Sequence, residues 1–67
     1  MKYKIIIFKQ LHLIPDIFTI ESPLAKQAVT DEIHTLLDGN AIVFTDTKGK
    51  VRIYDRGIIS KIFIKAI

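Results

Sequence analysis

The apolar positions of the chain follow two periods, and each predicts a different element. Between residues 23 and 38, Leu24, Ala28, Val29, Ile33, Leu36 and Leu37 recur at three- and four-residue spacing, which gathers them into one stripe of a helix. Lys26, Gln27, Thr30, Asp31, His34 and Thr35 fall on the other side. Ser22 is placed to cap the helix start with its hydroxyl, and Pro23 suits the first helical position, where a missing N–H costs nothing. Gly39 follows as a residue able to take the left-handed conformation of a C-terminal cap. The pattern predicts burial of Ala28, Val29, Ile33, Leu36 and Leu37, with Lys26, Thr30 and His34 in water.

Elsewhere the apolar residues come in short runs rich in β-branched side chains, which predict strands. Lys2 to Phe8 is one. Ala41 to Thr45, Val51 to Tyr54 and Ile58 to Ile64 or beyond are three more, separated by the turn sequences Asp46-Thr47-Lys48-Gly49 and Asp55-Arg56-Gly57. Loops that short predict antiparallel neighbours and hence a meander. Leu11 to Ile14 and Ile17 to Ile20 flank Pro15-Asp16, a sequence suited to a type I turn. The expected fold is α+β, with one helix packed on one face of a four- or five-stranded, mainly antiparallel sheet. The order is β-β-α-β-β-β, or β-α-β-β-β if Leu11–Ile20 is a loop. At 67 residues the chain is a single small domain, residues 1–67.

Alternation along a strand assigns faces. Val51 and Ile53 are expected under the helix together with Ile62 and Ile64, and Ile58 shares the parity of the latter two. The opposite face then carries Lys50, Arg52, Tyr54, Lys61, Phe63 and Lys65, which are the candidate interface. Lys2, Lys4, Ile6 and Phe8 of the first strand extend it, and Ile59 falls on the same side.

Composition sharpens this picture. Hydrophobic residues make up 49% of the chain, although a domain this small buries only about 60% of the surface its unfolded form exposes. With no Cys and only His12 and His34 as nitrogen ligands, neither a disulfide nor a structural zinc site is expected. The surplus apolar surface points to self-association. The net charge is +3. Asp16, Glu21, Asp31, Glu32 and Asp38 lie in the hairpin and helix, whereas Lys2, Lys4, Lys9, Lys50, Arg52, Lys61 and Lys65 lie in the first strand or the last two. An acidic helix layer over a more basic sheet is the result. No run approaches the roughly 18–20 apolar residues of a membrane span. The run Ile5–Phe8 is shorter than the roughly 7–15 residues of a signal-peptide core, so a cytoplasmic location is expected.

No catalytic, cofactor-binding or metal-ligating set emerges from the spacing. His34 has Asp31 and Asp38 within one helical turn, yet no nucleophile or pocket accompanies it, so it reads as an exposed helix histidine. His12 has no nameable partner. Asp46 to Lys50 lacks the glycine spacing and the following helix of a phosphate loop, and reads as a hairpin turn. Cations interleaved with aromatic rings on a sheet face are what single-strand nucleic-acid binders use. The Gly-aromatic signatures of RNA-recognition sheets are nevertheless missing. Lysine stems lying over apolar sheet surface account for the same pattern. The expected function is therefore that of a non-enzymatic protein-binding module, acting as a homodimer or larger homo-oligomer on a protein partner. Its size suits a regulator or inhibitor encoded by a phage or mobile element. The alternative is a nucleic-acid-binding protein using the basic, aromatic sheet face.

Overall fold

A computed structural model describes residues 1–36 and 38–67. Its elements are β1 (Lys2–Lys9), β2 (Asp16–Glu21), α1 (Lys26–Leu36), β3 (Ala41–Thr45), β4 (Val51–Asp55), a 3₁₀ turn (Arg56–Ile58) and β5 (Ile59–Ala66). This is the α+β class in the order β-β-α-β-β-β, with every strand pair antiparallel. The strands divide into two ladders, β2-β1-β5 and β3-β4.

β1 takes the centre of its ladder, and Tyr3, Ile5 and Ile7 on its inner side are fully buried. The helix and the β3-β4 hairpin both lie over that inner side. They contribute Val29, Ile33, Ile42, Phe44 and Tyr54 to one core with Phe18 of β2.

Three sequence expectations change in detail. Leu11–Ile14 is a connection and not a strand, because β1 runs on to Lys9 and the β1-β2 ladder closes at Ile7 and Asp16. Leu11 takes a φ of 64° there, and Leu11, Leu13 and Ile14 stand out in solvent.

The helix starts at Lys26, not at Pro23. Ser22 Oγ does accept an amide, that of Leu24 at 3.2 Å, but it stabilises the bend before the helix. The Tyr3 hydroxyl holds the same bend by donating to the Leu24 carbonyl. At the other end Gly39 is not left-handed. Three-residue closures finish the helix there, from Asp38 N to Thr35 O and from Gly39 N to Leu36 O. An 11-residue helix touching β5 and β3 buries only the narrow pair Val29 and Ile33. Ala28 is exposed and Leu36 is 42% exposed, against expectation, while Leu37 lies outside the described residues.

The meander also gives way. Asp46 to Lys50 forms the expected β3-β4 hairpin, with Gly49 at φ 80°. At the next turn, however, the Asp55 carboxylate accepts from Gly57 N at 3.0 Å and caps the 3₁₀ turn. That turn redirects the chain out of the hairpin, and β5 runs beside β1 instead of β4.

Candidate interaction face

The six residues expected on one face are divided by the fold. Lys61, Phe63 and Lys65 are exposed on the outer side of β5, as alternation predicts. β4 is turned the other way. Tyr54 is 7% exposed and Arg52 is half-buried, whereas Ile53 is 68% exposed and Val51 also faces out. Lys50 lies in the exposed hairpin turn, its amide donating to Asp46 Oδ1 at 2.9 Å.

Two carboxylates explain the inversion of β4. Tyr54 donates its hydroxyl to Asp16 Oδ2 at 2.8 Å, and Arg52 Nε donates to Asp46 Oδ2 at 3.1 Å. With these polar tips satisfied, the ring of Tyr54 stacks on Phe18, with centroids 6.3 Å apart, and packs edge-on to Phe44. The Arg52 guanidinium lies 4.7 Å from the Phe18 ring centroid. Burying a tyrosine ring removes more apolar area than burying a valine or isoleucine, so β4 gains by this orientation once the hydroxyl has a partner.

The electrostatics agree. Burial pushes the Asp16 carboxyl up, but the bonds from Tyr54 and Lys9 outweigh it and leave its pKa below the ordinary value. Asp46 behaves alike: burial raises it, and the Lys50 amide, Arg52 and the Lys48 amide bring it down further than that. Burial, and then the Asp16 carboxylate, push the Tyr54 hydroxyl up. Among the described residues no buried side-chain nitrogen or oxygen lacks a partner, so this cluster is internal scaffolding.

The face that does form is the outer side of β2-β1-β5. The register places Ile17, Ile6 and Phe63 in one row across the three strands, with Lys4 between Thr19 and Lys65 in another. Phe8 packs edge-on against Phe63 at 5.8 Å, and Lys61 Nζ sits 5.3 Å from the Phe63 ring centroid. Because the helix and hairpin occupy the inner side, none of the described elements covers this row, and Phe63 is 49% exposed.

A bulge keeps β5 correctly placed on both sides. The register shifts between Phe8, opposite Lys61, and Lys9, opposite Ile59. Ser60 is the extra residue, so Ile59 joins Ile62 and Ile64 against the core and Ile58 is left exposed, the reverse of simple alternation.

Sequence reasoning missed a second apolar set: Val43, Val51 and Ile53 on the outside of the hairpin. The signal for it was the pairing of Arg52 and Tyr54 with Asp46 and Asp16, a contact between positions up to 38 residues apart. His34 makes no bond to Asp31, whose carboxylate accepts from Gln27 instead. Among the described residues no helix is long and apolar enough to cross a membrane, and no group of three or more potential metal ligands gathers. Comparison of the chain with protein-family models, curated proteins and solved structures finds no match in any of the three.

Proposed function

We propose that the protein is a small, non-enzymatic, cytoplasmic binding module that acts as a homo-oligomer and engages a protein partner through the outer face of β2-β1-β5. Its support is the uncovered row of Ile17, Ile6 and Phe63 with Phe8 packed against it. Apolar side chains contiguous on a sheet face are uncommon on a small soluble protein unless something docks there. A regulator or inhibitor encoded by a phage or mobile element fits a module of this size.

Nucleic-acid binding is the second reading, favoured by Lys61 and Lys65 beside an exposed Phe63. It is weakened by the loss of Arg52 and Tyr54 to internal partners, which narrows the basic, aromatic surface to one strand and its neighbour. Immobilised protein should retain the same host protein from a native lysate with and without nuclease treatment, and Phe63→Ala should lose it. Retention that disappears with nuclease would overturn the protein-partner reading in favour of the second.

A further inference from the structure

We infer that two copies join edge to edge, the β5 strand of one pairing antiparallel with the β5 strand of the other, to make a six-stranded sheet β2-β1-β5-β5-β1-β2. The inference rests on the homo-oligomeric reading above and specifies its contact. β5 is eight residues long, ends its sheet, and has β1 as its only ladder partner among the described residues. Ile67 N donates to Lys2 O. Alternation then turns the backbone N–H and C=O groups of Ile62, Ile64 and Ala66 away from β1. From Lys61 to Ala66 this open edge carries neither a proline nor a bulge, two of the devices that block strand addition, and its lysines, Lys61 and Lys65, both project to the outer face. The opposite edge of the sheet is already engaged, since Thr47 N donates to Thr19 O of β2 at 2.9 Å.

The open edge also borders space for a further strand. A groove of about 390 Å³ runs between the helix and β5, lined by Ile33, His34, Arg56, Ile59, Ile62 and Ile64 among others. The inner side of a second β5 presents Ile62 and Ile64, apolar residues suited to extend the core along that groove. Charge favours an edge contact over a face contact. Stacking two outer faces would press Lys2, Lys4, Lys61 and Lys65 against their own copies, with Glu21 as the one acid of that side. Edge pairing leaves those lysines side by side in water and doubles the face open to a partner.

Register follows from the same argument. A two-fold axis at Phe63 would set Lys61 directly opposite Lys65 of the second copy, which like charges disfavour. Axes at Ile62 or Ile64 instead set Lys61 or Lys65 opposite Phe63 of the second copy, repeating the lysine-on-ring contact already made within each chain.

The test uses the full chain in sedimentation equilibrium at micromolar concentration, with Ala66→Pro as the edge variant. That change removes one outward N–H at an exposed position and leaves the β1 ladder intact. With the axis at Ile64, where Ala66 stands opposite Ile62 of the second copy, it should weaken the dimer at least tenfold with the far-ultraviolet dichroism unchanged. With the axis at Ile62, Ala66 lies beyond the paired strands, and the Lys61→Cys cross-link reports the contact instead. Cysteine cross-linking gives a second readout free of background, because the chain has no cysteine. An oxidised mixture of Phe63→Cys with Lys61→Cys or Lys65→Cys should form covalent heterodimers. A dimer that Ala66→Pro leaves intact and that forms no β5 cross-link would overturn the edge contact while sparing self-association. A monomer at every concentration would overturn both.

Discussion

Asp46 organises the β3-β4 hairpin through its side chain more than through its backbone. Oδ1 accepts from the Lys48 and Lys50 amides, both at 2.9 Å, and Oδ2 accepts from Arg52. Such bonds favour the ionised carboxylate, and the folded pKa lies below the ordinary 3.8 despite the opposing effect of burial. Asp16 is shifted in the same direction by Tyr54 and Lys9 after the same opposition. A depressed folded pKa contributes stability that is fully present above the unfolded value and is lost as pH falls through the folded one. Stability should therefore drop on the acid side, below about pH 4. Asp46→Asn keeps an acceptor but no charge, so it should be less stable than the wild type at pH 7 and lose less between pH 5 and pH 2. Urea midpoints of both proteins across that interval check this. Parallel acid limbs would show that Asp46 does not carry the linkage.

At the scale of elements, the helix separates what periodicity can foresee from what it cannot. The stripe is real, but only Val29 and Ile33 reach the core, because the helix meets β5 and β3 along one narrow line. Ile33→Ala should cost about 2–5 kcal/mol, the usual range for a buried aliphatic site. Leu36→Ala, at a position 42% exposed, should cost less than half as much. Chemical denaturation of the two variants measures the difference, and equal losses would contradict the packing. The helix, the hairpin turn at Asp46 to Lys50 and the outward face of Lys61, Phe63 and Lys65 were legible in the sequence because each depends on neighbours within a few residues. The orientation of β4 was not, since it is decided by Asp16, a residue far off in the chain that reaches Tyr54 only in the fold. The partner of β5 was hidden for a related reason. A three-residue turn suggests a hairpin, and nothing local reveals that Asp55 uses it to cap a 3₁₀ turn and send β5 to β1. Ser60 as a bulge could be recognised only once that partner was known.

For the whole molecule, the decisive question is whether the cations of the outer face meet phosphates or a protein. Lys2, Lys4, Lys61 and Lys65 share that side with Glu21, and the chain as a whole is only +3. If it engaged three or four phosphates of a single strand, the logarithm of the affinity should fall against the logarithm of salt with a slope of about −2 to −3. Phe63, the ring best exposed between the lysines, would then stack on a base, and Phe63→Ala would cost about 1–3 kcal/mol. A protein-binding face predicts a different combination. Binding to a labelled single strand should be weak and indifferent to base sequence, and Phe63→Ala should leave it unchanged, because lysines alone would supply the attraction. The same substitution should still abolish retention of the protein partner, since it removes the largest side chain of the apolar row. Fluorescence anisotropy at two salt concentrations, with wild type and Phe63→Ala side by side, distinguishes the two. Tight, salt-sensitive binding that needs the Phe63 ring would make the lysines phosphate contacts and the row a base-stacking platform.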